Sequence, residues 1–287
     1  MPALIDLRRR IKSVQNTQQI TQAMKTVSTA KFRKAQRLLL EGRPYWHTLL
    51  ELLVDVYSWT EGYLHPLLEE RSEEKIEGLV ISSDKGLAGA FNSNLLEKAL
   101  SFFEEKARSS EVKLVLAGKK AVSFFKNQPF SIDSKYSDNI EKLTPDEIRE
   151  IAHHLIKLYV FQKVDAVYVA YNEFKSILAP RITISKLLPL VPAKEEEENF
   201  FIPGWEPEVF SILNMLLPLY VESQVYHYFR ESSTAEQAAR MMAMDNATKN
   251  AEELVEDLTL ILNKIRQASI TKELLEIMTA VDALAKI

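Results

Sequence analysis

The chain has 287 residues, of which 46% are hydrophobic and 26% charged, a composition typical of folded globular proteins. It contains no cysteine, which excludes disulfides, thiolate metal sites and thiol redox switches. No apolar run reaches the roughly 18 residues needed to cross a bilayer, and the first 15 residues lack the apolar core of a secretory signal. We therefore expect a cytoplasmic protein that does not insert directly into a bilayer.

The net charge of −4 conceals a strong asymmetry along the chain. Residues 1–44 contain ten Lys and Arg residues against two acidic ones, so this segment predicts a negatively charged partner surface. Nucleic acid is poorly supported as that partner, because Phe32 is the only aromatic residue available there to stack on bases. An acidic protein surface is the favoured interpretation.

The N-terminal segment, residues 1–59, predicts one long helix. No glycine occurs before Gly42, and helix interiors avoid glycine. Leu4, Leu7, Ile11 and Val14 begin a heptad seam. The seam fades into the polar stretch 13–29, and a second apolar face resumes in another register at Ile20, Met24 and Val27. Pro44 predicts a kink or a break.

The C-terminal segment, residues 208–287, predicts a second long helix with a partner helix. Its seam comprises Met244, Ala247, Ala251, Leu254, Leu258, Ile261, Ile265 and Ala268, then shifts to Leu274, Met278, Val281 and Ala285. Pro218 predicts a bend or the end of a preceding helix. The methionine cluster 241–244 is compatible with core filling or with an interface.

The middle of the chain, residues 75–190, changes period and predicts alternating strands and helices. The predicted strands are Ile76–Ser82, Val112–Ala117, Ala166–Ala170 and Ile182–Leu190. The predicted helices are Ser93–Ala107, Lys119–Phe125 and Thr144–Phe161, the last of which begins with a capping box. This order predicts a small Rossmann-like α/β domain with a mainly parallel sheet. Residues 191–207 then form an acidic linker loop.

The predicted fold is therefore α/β with long terminal helices. The N- and C-terminal helices pair as an antiparallel two-helix coiled coil, and the α/β domain is inserted between them.

No motif supports an active site. The loop Ser82–Asn92 follows the first strand, where α/β folds bind phosphates, but it has neither GxxxxGK[ST] nor GxGxxG. His153 and His154 are adjacent on a helix, so they point in different directions. Carboxylate pairs such as Glu104 and Glu105 indicate solvated helix faces. We predict no catalytic residue, cofactor or metal. The polar segment 263–274 indicates either a locally weak coiled coil or a face exposed to another, moving partner.

Five segments carry a resemblance to a known family. Ile11–Met24 (IKSVQNTQQITQAM) resembles the N-terminal signature of F-type ATP synthase gamma subunits. Ser83–Asn92 is similar to that family's SxDRGLCGxxN loop, with Lys85 in place of Arg and Ala88 in place of Cys. Tyr220–Tyr226, Ser233–Met244 and Arg266–Leu274 (RQASITKEL) resemble further family segments, and all five occur in the family's order.

The resemblance implies a bacterial-type central rotor shaft without an active site of its own. In this family the terminal helices turn inside a ring of three alpha and three beta subunits. The α/β domain forms the foot, next to the epsilon subunit and the membrane c-ring. Rotation couples ion flow to ATP synthesis or hydrolysis on beta. The protein would then be peripheral, on the cytoplasmic face of the plasma membrane.

Residues are carried over from the family position by position. Met24 and Lys25 match shaft residues near an acidic lever of beta, and Arg266, Gln267 and Thr271 match a polar catch that touches the ring. Val281–Ile287 matches the tip in its hydrophobic bearing. The foot-domain loop contributes Lys85, Gly86, Gly89 and Asn92. The alternatives from the residues alone are a coiled-coil adaptor with an α/β head in another assembly, and an α/β enzyme that binds a small molecule.

Overall fold

The computed structural model describes residues 2–58, 65–136, 140, 143–177, 180–191 and 209–284. Within these ranges the helices are α1 (Pro2–Ser58), α2 (Phe91–Lys106), α3 (Lys119–Phe125), α4 (Pro145–Val160) and α5 (Val209–Leu284). The strands are β1 (Lys75–Ile81), β2 (Glu111–Ala117), β3 (Ser131–Tyr136), β4 (Ala166–Glu173) and β5 (Arg181–Leu188). Long terminal helices with an α/β segment between them are confirmed.

The five strands form one sheet in the order β3-β2-β1-β4-β5. β1 pairs in parallel with β2 and β4, and β2 pairs in parallel with β3. β5 is antiparallel to β4, so the prediction of a mainly parallel sheet is confirmed. β3 is absent from the predicted strands, because its segment SIDSKY is polar. Along this strand exposed residues alternate with half-buried ones. An edge strand of this kind lacks the continuous apolar run of a buried strand.

Each face of the sheet is covered by helices. One hydrophobic core packs α1, α4 and α5 against the sheet through residues such as Leu53, Leu155 and Val221. The other packs α2 and α3 through Leu95 and Phe103 among others. Gly78 in β1 permits the close approach of α2, since a Cβ atom there would lie 2.4 Å from the Phe103 ring.

Helix α4 has a capped N-terminus, and two prolines lie inside the long helices α1 and α5. Thr144 caps α4, and the Glu147 side chain returns the bond to the Thr144 backbone, so the predicted capping box is confirmed. The helices α1 and α5 continue through Pro44 and Pro218, so a break or a helix end at either proline is wrong, whereas the kink or bend that was the other expectation stays a prediction. Tertiary packing of long helices outweighs the loss of one backbone hydrogen bond at each proline. The predicted acidic linker, apart from Val191, lies outside the described residues.

The chain divides into two compact units, and α1 and α5 contribute to both. The α/β unit comprises residues 29–240, and the helical-pair unit comprises residues 1–28 and 241–287. In the helical-pair unit, Lys25 forms an ion pair with Asp245 at 2.5 Å. The Thr248 hydroxyl donates to the Thr21 hydroxyl at 2.9 Å. Residues later in α1 therefore pair with residues earlier in α5, which makes the pair antiparallel.

The α1 side of this helical pair keeps a single heptad register. The positions that are half-buried or buried at 3,4 spacing are Leu4, Leu7, Ile11, Val14, Gln18, Thr21, Lys25 and Ser28. The predicted shift to Ile20 and Val27 is wrong, since both side chains are more than half exposed. The seam thus continues through polar side chains, which a search for apolar repeats does not detect.

The α5 side shows the same effect. At alternating spacings of four and three residues, the half-buried or buried positions are Met244, Thr248, Ala251, Val255, Leu258 and Leu262, and Ala247 of the predicted seam is half-buried as well. Predicted seam residues Leu254, Ile261 and Ile265 are exposed instead. The predicted and the observed seams share positions 244, 251 and 258. They differ by one residue at the positions between these, 247 against 248 and 254 against 255, and the sequence alone does not distinguish the two seams. The unused register leaves a second apolar stripe uncovered within the described unit.

Candidate functional site

The edge of the sheet at the carboxyl ends of β1 and β4 is where open α/β sheets usually bind ligands. In this chain α5 occupies that edge. The Glu231 carboxylate accepts a hydrogen bond from the backbone N–H of Phe174 at 2.5 Å. The Ser232 hydroxyl donates to the Ile81 carbonyl at 3.4 Å. The protein's own helix α5 thus lies at the edge where a ligand would bind, and the loop after β1 carries no nucleotide fingerprint.

A buried ion pair fastens the loop after β1 to α5. Arg240 Nη2 lies 2.6 Å from Glu236 Oε1, and both side chains are less than a tenth exposed. The Arg240 guanidinium also reaches the Gly86 carbonyl at 3.4 Å. Sequence reasoning missed both residues. Their signal is an i,i+4 pair of opposite charges within an alanine-rich helix (STAEQAAR), which indicates a helix buried on nearly all sides.

The loop Ser83–Asn92 is tied together internally. The Asn92 side-chain amide donates to the Ser83 hydroxyl at 2.9 Å, and its oxygen accepts from the Ser83 N–H at 3.1 Å. Asp84 accepts from the backbone N–H groups of Lys119 and Ile140. The loop is therefore a rigid connector between β1 and its neighbours.

The four predicted loop residues have different roles. Gly89 adopts a left-handed conformation with φ of 58°, which favours glycine. Gly86 does not, and it contributes its carbonyl to Arg240 instead. Asn92 braces the loop from inside. Lys85 is exposed, next to the exposed Leu87, whose φ is 61°. Lys85 and Leu87 thus form the outer surface of this loop.

Met24 and Lys25 lie near the end of the stretch that α1 contributes to the helical-pair unit, which runs to residue 28. Met24 is half-buried. Lys25 contacts Asp245, which also binds Lys249 at 3.0 Å. Hydrogen bonds from Lys25 and then Lys249 lower the pKa of the Asp245 carboxyl. Part of the positive charge predicted to face a partner is therefore already neutralised within the chain.

Arg266, Gln267 and Thr271 form a second, separate group near the end of α5. All three are exposed, and the Thr271 hydroxyl donates to the Gln267 carbonyl at 3.0 Å. Arg266 makes no ion pair with any described residue. Twenty-one positions separate Asp245 from Arg266, about 31 Å along an α-helix. The neighbouring residues Met24 and Lys25 therefore lie far from the polar group of Arg266, Gln267 and Thr271.

The end of α5 has no helical partner among the described residues. The register set by Thr21 with Thr248 and by Lys25 with Asp245 places the start of α1 opposite the region of Ala268. Beyond it the apolar side chains are at least two-fifths exposed, and they include Ile270, Leu274, Leu275, Ile277, Met278 and Val281. An exposed apolar face of this size marks an interaction surface.

Two classes of site are absent from the described residues. Within those ranges no group of three or more His, Asp or Glu side chains is placed to hold a metal ion. None of the helices, over the same described part of the chain, has an apolar stretch long enough to cross a membrane.

Comparison with known proteins gives consistent matches over the whole length. A model of the ATP synthase family matches residues 3–284. The ATP synthase gamma chain of Pelotomaculum thermopropionicum is 43% identical over 285 residues, covering 99% of this chain and all of the relative. The gamma chain of Desulforudis audaxviator is 42% identical, with the same coverage.

Solved structures with the same fold come from rotary assemblies. A chain of the central stalk and c-ring of the Tetrahymena thermophila mitochondrial ATP synthase matches with a TM-score of 0.60 and 25% identity. That match covers 79% of this chain and 99% of the other. A chain of the Euglena gracilis mitochondrial ATP synthase matches with a TM-score of 0.66 and 18% identity over 99% and 95% of the two chains. On the family model and the full-length relatives, the chain belongs to the ATP synthase gamma chain family.

Proposed function

We propose that this chain is the central rotor shaft of an F-type ATP synthase. It couples rotation of a membrane c-ring to ATP synthesis or hydrolysis on the beta subunits. As a gamma chain it is a noncatalytic subunit, and ATP chemistry belongs to the whole complex. The observation that carries the proposal is the end of α5, where the apolar side chains from Ile270 to Val281 are exposed and have no helical partner among the described residues.

The partners follow from the same surfaces. A ring of three alpha and three beta subunits encloses the helical pair. Arg266, Gln267 and Thr271 touch the ring as a polar catch, and Met24 with Lys25 lies near an acidic segment of beta. Arg266 contributes a charge to this catch, whereas Gln267 and Thr271 contribute uncharged polar contacts, which suit a surface that must slide. The α/β unit binds the epsilon subunit and the c-ring, which places the chain peripherally at the cytoplasmic face of the plasma membrane.

Reconstitution with alpha and beta subunits tests the proposal. A bead attached to the α/β unit is expected to rotate in steps when ATP is added, and ATPase activity is expected to depend on this chain. Failure to form a complex with one copy of this chain per ring, with ATPase activity independent of it, would instead favour an adaptor in another assembly.

A double variant tests the polar catch. Arg266→Ala with Gln267→Ala is expected to lower ATP-driven rotation and ATP synthesis several-fold, while the α/β unit stays folded. The matched control is Lys126→Ala with Asn127→Ala, which removes one cation and one amide from exposed neighbouring positions in the α/β unit. Equal rotation and synthesis in both double variants would remove the catch from the proposal.

A further inference from the structure

The α/β unit contains a cavity that the rotor role does not use. It measures about 320 Å³ and lies between α1, α4 and α5. Its walls include Tyr45, Trp46, Ile148, Leu219 and Tyr226. A volume of this size with mostly apolar and aromatic walls is typical of small-molecule sites.

The walls of the cavity are held in place by packing. The Trp46 ring lies against Gly42, where an added Cβ atom would approach the ring to 2.7 Å. The same indole packs on the His227 imidazole, with ring centroids 4.1 Å apart. The Tyr226 ring is covered by the Arg230 guanidinium at 4.7 Å from its centroid. The aromatic walls are therefore preformed, which reduces the entropy lost when a ligand binds.

The charged groups at the cavity are already paired with one another. Glu222 lines it, and its carboxylate oxygens lie 3.3 Å from Arg149 Nε and 2.9 Å from His153 Nε2. Arg149 also contacts Asp146 at 2.9 Å. A charged ligand would have to break one of these pairs, whereas a neutral ligand leaves them intact.

One polar group in the wall is unused. Ser223 lines the cavity and is 7% exposed, and its hydroxyl oxygen has no hydrogen-bond partner among the described residues. That oxygen is shielded from water in the resting rotamer. Rotation about the Cα–Cβ bond sacrifices no hydrogen bond, and a buried hydroxyl gains by acquiring a partner.

We propose that this cavity binds a flat, neutral aromatic molecule carrying one hydroxyl group, which pairs with Ser223. The ring lies between the aromatic walls, and the Arg149–Glu222–His153 cluster closes the polar side without taking part in recognition. Such a ligand would act on the rotor from a site distinct from the partner-contact surfaces of the helical pair. The binding test below does not depend on the rotor function.

Two probes of matched shape test the site by ligand-observed NMR on the full-length chain. The first is 2-naphthol, and the second is 2-fluoronaphthalene, which lacks a hydrogen-bond donor. For probes of this size we expect dissociation constants on the order of 0.1–1 mM. Ser223→Ala is expected to weaken 2-naphthol binding about 5–10-fold, as loss of one hydrogen bond does. The same variant should change 2-fluoronaphthalene binding less than about twofold.

A filling variant tests the location. Leu219→Trp occupies the cavity from its partly exposed rim and is expected to weaken both probes at least about 10-fold, since it removes the space that the ring needs. The control is Met215→Trp, an exposed position one turn earlier on α5 that does not line the cavity. It should leave both affinities unchanged. Urea melts establish that each variant is folded.

Three outcomes would overturn the proposal. They are no saturable binding to the folded wild-type chain, unchanged affinity in Leu219→Trp, and equal effects of Ser223→Ala on the two probes. The measurement is repeated after assembly with the alpha, beta and epsilon subunits, because epsilon is the partner proposed to bind the α/β unit. Retained 2-naphthol binding supports a ligand site, whereas displacement by the subunits would assign the cavity to a partner side chain instead.

Discussion

The two units of the chain bury their residues in very different ways. In the α/β unit, Leu79, Val115 and Leu155 are completely buried between the sheet and its helices. In the helical-pair unit, burial is confined to a narrow seam that includes Thr21, Ser28 and Ala251. A two-helix pair has too little volume to surround its apolar residues. The α/β unit is thus stabilised by its own buried core, whereas the helical-pair unit keeps apolar surface exposed to partners.

Charged groups follow the same division. The α/β unit contains Glu77, Glu236 and Arg240, each less than a tenth exposed. In the helical pair, the Lys25–Asp245 ion pair is partly open to solvent. Buried charges are costly to disrupt, whereas surface pairs contribute little. Breaking a buried ion pair in the α/β unit should therefore destabilise the chain more than breaking the partly exposed Lys25–Asp245 pair.

The largest effect is expected from Arg240→Ala. It leaves the Glu236 carboxylate buried without its cation and removes the contact with the Gly86 carbonyl. Breaking a buried pair in this way costs about 3–5 kcal/mol. Urea denaturation of the full-length chain, followed by circular dichroism, measures the change.

An exposed pair of opposite charges at the same i,i+4 spacing provides the control. Arg37 and Glu41 are also at i,i+4 in the α/β unit, but their side chains are 70% and 63% exposed. Arg37→Ala is expected to change the free energy of unfolding by less than about 0.5 kcal/mol. Similar losses in the two variants would show that burial is not what distinguishes the pairs.

The next effect concerns Glu77, in the middle of the sheet. Burial raises the pKa of its carboxyl to about 8, nearby Asp133 adds to the rise, and Lys113 opposes it. The folded chain binds this proton more tightly than the unfolded chain does. The stability contributed by the protonated carboxyl is therefore fully present below about pH 4.5 and declines as pH rises toward 8. At neutral pH the folded chain therefore keeps most of this carboxyl protonated and uncharged, and the proton uptake that this requires lowers the stability.

Glu77→Gln removes that decline. At pH 7 the variant is expected to be more stable than wild type by about 3 kcal/mol as an upper figure, and near pH 4 the two should be equal. Urea melts across this pH range measure the difference. Glu97→Gln on the exposed face of α2 is the control and should behave as wild type. A constant difference at all pH values would contradict the assigned titration.

Much of the fold is predictable from local signals in the sequence. The capping box at Thr144 and the apolar run of β1 each follow from residues close together in the chain. β3 does not, because a polar edge strand owes its pairing to β2 beside it. The helix through Pro44 also depends on tertiary packing. The local sequence pattern thus predicts elements that have apolar runs. It does not predict elements that form only because another strand or helix packs against them.

The candidate sites were less predictable. Glu236 and Arg240 acquire their role only when α5 lies across the end of β1, a contact between residues more than 150 positions apart. The seam through Thr21 and Thr248 is polar, so hydrophobic periodicity assigned the wrong register to the same helices. Non-local contacts determine which polar residues are structural and which remain available to partners.

The smallest effect on stability is expected in the helical pair, where Thr21→Val with Thr248→Val removes a hydroxyl pair and keeps the shape. Replacing both partners of a hydrogen bond is nearly neutral, so the free energy of unfolding should change by less than about 1 kcal/mol. The register should become less unique, because buried polar contacts specify alignment in coiled coils. The seam has a heptad repeat, and a slip by one heptad moves one helix about 10 Å along the other.

The absence of native cysteine makes this slip measurable. Spin labels at Gln15→Cys and Glu256→Cys, both exposed in the helical-pair unit, report the distance between the helices. Wild type should give one distance, and the double valine variant should give a second population displaced by one heptad. The control is Ile20→Ala with Val27→Ala, which changes exposed positions outside the seam and should keep one distance. A single unchanged distance in the valine variant would mean that the remaining apolar contacts, such as those of Leu258, already fix the register.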